Sequence, residues 1–252
     1  MKLIWNSWEI VEKIWNKVIK TWKWEAFNNQ LNFLLQNNDD FIKIKKINDE
    51  QYEMDFIKTR YIDFIKNNNL EDNIKKFNEL IYKVLNYSKE NNWKNNIKKY
   101  IDKLEQRTWI KFSNYEHIKL IDDIWFVHWD LTVSNIMIDD NNEIVFIDPK
   151  WTKESTYYDW WKLLQSFCMN YENIIENNND KIPIYDDFKN ILYEKFDEKL
   201  LDFYLAVHLI WAYPFFKSKK RPYTIDFLKK WLDLFTKLWI KYEMTNISLM
   251  SE

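Results

Sequence analysis

"FVHWDLTVSNIMIDDNNEIVFID", residues 126–148, decides how this chain is read. Two short apolar runs, Phe126 to His128 and Ile144 to Ile147, frame a polar loop, and one further apolar pair, Ile136 and Met137, lies between them. Apolar runs of this length punctuated by Asn and Asp predict short strands joined by tight turns, here a β-hairpin that ends at Asp148. Three polar side chains fall at the ends of those runs: Asp130, Asn135 five residues later, and Asp148. Asn and Asp are also favoured in plain polar turns. Spacing alone therefore leaves two readings, a set of side chains that work together or hairpin loops that are merely wet.

Composition bears on that loop because it is abnormal. A 252-residue chain of average usage holds roughly 18 glycines, yet this one has none, while Trp occurs 15 times. Glycine alone takes positive φ without steric cost and lets a backbone come close to a ligand. The chain is rich in Asn, Lys and Ile, as an A/T-rich gene produces, and some bacteria with such genomes read UGA as glycine where other codes read tryptophan. The expectation is that many Trp stand where the natural protein has Gly. In "KLIWNSWEIVEKIWNKVIKTWKW", Trp5, Trp8 and Trp15 fall in the turns between β-like runs, and Trp15-Asn16 then becomes Gly-Asn, a two-residue hairpin signal. Trp129 separates His128 from Asp130, and Trp151 follows Asp148-Pro149-Lys150. Trp160 and Trp161 are adjacent on a helical stretch, and one of them is expected to be a true core Trp. The alternative, a naturally Trp-rich core, leaves the missing glycine unexplained.

The bulk numbers are less pointed. The length suits one larger domain or two small lobes, and 46% hydrophobic residues are ample for a core. With 37 basic and 39 acidic residues the net charge is −2, which gives no argument for nucleic acid or an anionic membrane as partner. One cysteine, Cys168, excludes an internal disulfide framework and fits a reducing compartment. The first residues lack the apolar core and cleavage site of a signal peptide, and no apolar run is long enough to span a bilayer. A soluble, cytoplasmic protein is expected, with no nucleic-acid or membrane partner.

Residues 2–21 alternate in the manner of three short strands, "KLI", "EIVEKI" and "KVIK". Trp24 to Gln36 has apolar residues at helical spacing, and "FIKIKKI" and "QYEMDFI" flank Asn48-Asp49 as a second hairpin. From about Thr59 the pattern turns helical. Ile74, Phe77, Leu80, Ile81, Val84 and Leu85 form one apolar stripe, with Lys on a face expected to be solvated. "TKESTYYDWWKLLQSFCMNYENII" predicts a helix capped by Ser155 or Thr156, with Asp159 as a charge that needs a partner. Asp186 to Tyr242 predicts three more helices, broken near Pro214 and Pro222. His208 is expected as a core histidine and His117 as an exposed one; Asp186, Asp187, Asp197 and Asp202 are spread like surface charges.

"VHWDLTVSNIMID…FIDPKW…YYDWWKL", with Gly at Trp129 and Trp151, resembles the aminoglycoside phosphotransferase and choline kinase superfamily. It is most similar to bacterial members with a His-Gly-Asp-Leu…Ser-Asn-Ile loop and an Ile-Asp-Pro-Arg-Gly motif, in which Lys150 stands at the Arg position. The resemblance covers nearly the whole chain. It implies an α+β, bilobal protein kinase-like fold: a small N-terminal antiparallel β lobe (residues 1–57) that binds nucleotide, and a larger, mainly helical C-terminal lobe (58–252) carrying the catalytic and metal loops. It implies ATP and Mg²⁺ as cofactors and a small-molecule hydroxyl as acceptor: an amino sugar, a choline-like amino alcohol or a surface-glycan precursor. By the same resemblance Asp130 is the base, His128 fixes the loop, and Asn135 and Asp148 hold Mg²⁺. Trp5, Ser7 and Trp8 form the phosphate-covering loop, Lys20 reaches the phosphates with Glu25 as its acidic partner, and Met54 and Phe56 hold the base. Two other classes stay open. A nucleotide-binding pseudokinase would bind ATP without turnover, and a helical interaction protein would gain no thermal stability from nucleotide with Mg²⁺.

Overall fold

A computed structural model describes residues 2–3, 10–21, 31, 34, 41–87, 90–91, 96–108, 110–120, 124–150, 152–155, 157–172, 181–218 and 224–244. The architecture is α+β, as expected. Contacts gather the chain into two compact units, Met1–Lys89 with Trp125–Glu154, and Glu90–Ile124 with Ser155–Glu252. The boundary expected after residue 57 follows the change from strands to helices, whereas these units follow contact.

The first unit is built on an antiparallel sheet of β1 (Lys2–Leu3), β2 (Ile10–Ile14), β3 (Lys17–Thr21), β4 (Ile44–Asn48) and β5 (Gln51–Asp55), in the order β1-β2-β3-β5-β4. Side chains alternate faces along a strand, so Val18 and Lys20 of β3 and Tyr52 and Met54 of β5 share the buried face. A second sheet sets strand Ile136–Ile138 between Ile144–Phe146 and Thr59–Arg60. Its middle strand is buried at all three residues, with helix Tyr61–Asn67 packed against it.

The turn of that hairpin is held twice. Asp139 Oδ1 accepts the N–H groups of Asn141 (2.9 Å) and Glu143 (2.8 Å). From helix Leu70–Tyr87, Lys76 Nζ donates to Asn142 O (2.6 Å) and to Glu79 (2.7 Å), and Lys83 pairs with Glu143 at 3.6 Å. The expected apolar stripe is present in Phe77, Leu80, Ile81 and Val84, which are buried, but Leu85 is 49% exposed. The lysine face is not simply solvated, because Lys76 is buried against the hairpin.

In the second unit, helix Glu198–Ser218 contributes Leu201, Phe203, Leu205, Ala206 and Leu209 to the core, packed by helices Tyr157–Met169 and Thr224–Lys237. Tyr100 of helix Ile97–Thr108 meets Tyr204 edge-on at 5.4 Å. Ser155 Oγ accepts the Tyr157 N–H at 3.3 Å, and Asp159 lies fully buried in the first turn of that helix, where the dipole favours a carboxylate. Trp160 and Trp161 are both buried, not one of the two. His208 stacks on Trp161 with ring centroids 3.8 Å apart.

Three sequence expectations change. Helix Glu198–Ser218 runs through Pro214, at the loss of one intrahelical donor. Strand Ile110–Ser113 pairs with Lys241–Met244 where helix was expected. Asp202 is buried and accepts from Tyr193 Oη at 2.7 Å and from Lys237, so it is not a surface charge. His117 is exposed but tied, with Nε2 at 2.8 Å from Leu238 O. Among the described residues no helix is long and apolar enough to cross a membrane.

Among the described residues the left-handed ones are Trp15, Asn114, Trp129, Asn142, Asp148, Asn170 and Trp239. Asn and Asp tolerate that region; for a bulky side chain it is an outlier. Trp15 (φ 59°) is the first central residue of the two-residue turn between Ile14 and Lys17, and Asn16 beside it has no positive φ. That is the type II′ pattern, whose first central position belongs to glycine. Trp239 (φ 59°) ends helix Thr224–Lys237 with Ile240 N–H on Phe235 O at 3.0 Å and Trp239 N–H on Thr236 O at 3.1 Å. Those two bonds make a Schellman motif with Trp at the position glycine usually takes.

Trp15→Gly and Trp239→Gly are each expected to stabilise the chain by about 1 kcal/mol, since the left-handed strain disappears and the indoles are 91% and 78% exposed. Trp160→Gly should cost about 3–5 kcal/mol as a core truncation. Chemical denaturation separates the two classes, and equal losses in all three variants would refute the assignment. Lys76→Met, which leaves the Asn142 carbonyl without its lysine, should cost about 1–3 kcal/mol by the same measurement.

Candidate active site

Strand alternation sends Lys20 into the first unit's interior, where its amine lies 2.8 Å from Asp148 Oδ1. The two side chains are 1% and 3% exposed. Asp148 itself has φ 59°, a left-handed backbone that Asp tolerates and that surrounding bonds hold in place. Two of those bonds join the loop after strand Ile144–Phe146 to the loop before strand Ile136–Ile138: Ile147 N–H to Asn135 O (3.0 Å) and Lys150 N–H to His128 O (2.9 Å).

His128 is the third tie. Its Nε2 lies 2.9 Å from Ile147 O and its Nδ1 accepts the Asp130 N–H at 3.3 Å. A carbonyl can only accept, so these partners select the neutral tautomer with the proton on Nε2. The ring is fully buried, stacked on Phe41 (6.1 Å) and edge-on to Phe146 (6.3 Å). Burial pushes its pKa down to about 4, against the opposing pull of Asp130, the Ile147 carbonyl and Asp148.

Asp130 is half-buried, and its carbonyl accepts Thr132 N–H (2.8 Å) and Asn135 Nδ2 (2.7 Å). Asn135 Nδ2 is also 3.5 Å from Asp130 Oδ2. With its amide nitrogen committed to Asp130, Asn135 offers its amide oxygen as an acceptor. That oxygen and the Asp148 carboxylate stand on cross-linked loops, and such all-oxygen donors suit a hard cation. Among the described residues no group of three or more His, Cys, Asp or Glu gathers. Mg²⁺ fits this arrangement, since it is commonly held by one or two carboxylates with the remaining ligands from phosphate and water.

A cavity of about 220 Å³ opens beside Lys20. Val11, Val18, Ile42 and Ile147 give it apolar walls, and the chain from Met54 to Lys58 forms one edge. Of the residues expected to bind nucleotide, Lys20, Met54 and Phe56 line this cavity. Asp130, Asn135 and Asp148 stand on the loops that contribute Ser134 and Ile147 to it. Trp5, Ser7, Trp8 and Glu25 lie outside the described residues, as does Trp151. Arg60 and Ser134 on the cavity wall were given no role from sequence; Ser134 lies within the Ser-Asn-Ile motif beside Asn135, whereas no pattern marks Arg60.

No family model matches the sequence, and no curated protein matches it by sequence. Solved structures match the fold. Choline kinase LicA from Streptococcus pneumoniae aligns with a TM-score of 0.59 at 13% identity, over 94% of this chain and 93% of that one. A choline/ethanolamine kinase family protein from Mesorhizobium loti gives 0.55 at 10% identity, over 95% and 86%. Wild-type aminoglycoside 2'-phosphotransferase-IIIa, in complex with GDP, gives 0.50 at 10% identity, over 94% and 90%.

The depressed pKa of His128 sets a pH window. Below pH 6.5 the unfolded chain takes up a proton that the folded chain refuses until about pH 4, so this contribution to stability is lost as pH falls through that range. The loss amounts to roughly 3 kcal/mol. His128→Gln, which keeps a donor for Ile147 O and does not titrate, should narrow its stability gap to wild type between pH 7 and pH 4. A constant gap would show that the imidazole is not held neutral.

Proposed function

We propose that this chain, which has the fold of the choline kinase and aminoglycoside phosphotransferase structures, is an ATP-dependent phosphotransferase acting on a hydroxyl of a small molecule. An amino sugar, a choline-like amino alcohol or a surface-glycan precursor is the acceptor class. The observation that carries the reading is the contact between Lys20 of β3 and Asp148 of the distant hairpin, with Lys20 on the wall of an apolar cavity. A helical interaction protein has no use for a buried cation facing a carboxylate beside such a cavity.

In this reading the purine slots between the apolar walls, with the chain from Met54 to Phe56 along its edge, and Lys20 turns its charge to the α- and β-phosphates. Asp130, half-buried and open to an acceptor, orients the hydroxyl and takes its proton as the oxygen bonds to the γ-phosphorus. The bond from that phosphorus to the β–γ bridging oxygen breaks, and its electron pair leaves with ADP. His128 holds Asp130 by its backbone N–H and stays neutral. Asn135 and Asp148 would hold Mg²⁺, which would supply charge neutralisation for the phosphates. The protein's part is mainly positioning and electrostatics.

The test begins with nucleotide and Mg²⁺. Mg·ATP should raise the melting temperature, and ADP release should appear with one of choline, ethanolamine or an amino sugar. Asp130→Asn should lower kcat by about 10²–10⁴-fold with nucleotide affinity nearly kept. Asp148→Asn should abolish Mg·ATP binding and also destabilise the fold, by about 3–5 kcal/mol, because Lys20 is left buried without its carboxylate. Small and equal effects of both changes on turnover and binding would sink the proposal.

A further inference from the structure

Asp148 offers its two carboxylate oxygens to two different lysines. Lys20 holds Oδ1 at 2.8 Å, and both of those side chains are removed from water. Lys150 stands 3.6 Å from Oδ2, beyond hydrogen-bond length, with its side chain 27% exposed. The first contact is a closed, buried ion pair and the second a loose, solvated one, so they differ greatly in what it takes to leave them.

The root of Lys150 is nevertheless fixed. Its N–H bonds His128 O at 2.9 Å, while the N–H of Asp130 bonds the ring of the same histidine at 3.3 Å. One buried residue therefore indexes both the candidate base and this second lysine. Lys20 and Lys150 both face the Asp148 carboxylate, one on each oxygen. A cation on Asp148 would cancel the charge that draws Lys150 to it, and a transferring phosphoryl group would then offer the amine a new anion.

We propose that Lys150 is a catalytic residue whose amine passes from Asp148 to the transferring phosphoryl group and neutralises its oxygens in the transition state. The inference rests on the phosphotransferase reading above. The two lysines then have separate roles, Lys20 binding the donor and Lys150 acting on the group in flight. As the bond to the leaving oxygen breaks and the acceptor oxygen closes on phosphorus, charge spreads over the three equatorial oxygens. Lys150 keeps its proton throughout, since the acceptor's proton goes to Asp130. An ammonium with three rotatable donors on a flexible stem can follow those oxygens, where a planar fork would be more restricted.

The test compares affinity for Mg·ADP with affinity for Mg·ADP plus aluminium fluoride, a mimic of the phosphoryl group in transit, by calorimetry or thermal shift. Wild type should gain affinity from the fluoride. Lys150→Met should bind Mg·ADP within about threefold of wild type and lose on the order of 100-fold of the fluoride-dependent gain. Lys150→Arg should recover part of that gain, and Lys20→Met should weaken Mg·ADP itself. A Lys150→Met protein that folds and keeps the full gain, or a wild type that binds Mg·ADP with no gain, overturns the role of Lys150 while leaving nucleotide binding intact. A wild type that binds no Mg·ADP overturns the phosphotransferase reading and this role together.

Discussion

The ion pair between Lys20 and Asp148 is the constraint that the first unit is arranged to satisfy. A lysine on the inward face of β3 sits among Val18, Tyr52 and Met54, and a charge in such surroundings is tolerable only with a close counter-charge. Asp148 supplies it at 2.8 Å, from a backbone turned to φ 59°. Replacing such a pair with apolar residues of similar volume is often neutral or stabilising. Stability alone therefore gives no reason for this one.

What keeps Asp148 in that conformation is a neutral histidine. His128 uses one ring nitrogen on the carbonyl just before Asp148 and the other on the amide of Asp130, so a single buried ring fixes the distance between the two loops. Phe41 and Phe146 remove water from it, which depresses its pKa and keeps the tautomer that both bonds need. Behind this, Lys76 closes the hairpin turn from the helix Leu70–Tyr87 by capturing Asn142 O. Packing, hydrogen bonding and charge all act on this one hairpin and the loops that flank it.

Legibility in the sequence followed sequence separation. The strands of the first sheet and the hairpin around Asp148 were readable because period-two alternation and Asn/Asp turns are local signals. Asp130, Asn135 and His128 were singled out because they lie in one contiguous loop that resembles a known motif; their spacing alone left a plain polar turn open. Lys76 could not, because its partner is a carbonyl 66 residues away and a buried lysine on an amphipathic helix looks like any solvated one. Asp202 was hidden similarly: its environment is made by Tyr193 and by Lys237 of another helix. Pro214 misled because the rule against proline in helices is a statement of cost, and the packing of helix Glu198–Ser218 outweighs the loss of one donor. The short pairing of Ile110–Ser113 with Lys241–Met244 joins segments with no local pattern in common.

The tryptophans show the same priority of long-range bonds over local preference. Trp15, Trp129 and Trp239 occupy three unrelated motifs, a hairpin turn, the loop between His128 and Asp130, and a helix terminus, and each has a left-handed φ between 59° and 68°. In each case the conformation is set by bonds that do not involve the indole: the Ile14–Lys17 register, the bond from Asp130 N–H to His128, and the paired bonds of Ile240 and Trp239. A side chain with a Cβ is therefore held where its own energetics oppose it, and the indoles of Trp15 and Trp239 gain little burial in return, at 91% and 78% exposed. Trp129 is 37% exposed beside Asp130. Among the described residues, cooperative hydrogen bonding outweighs the local penalties at Trp15, Trp129 and Trp239, and those penalties fall at turns whose geometry glycine would accept without strain.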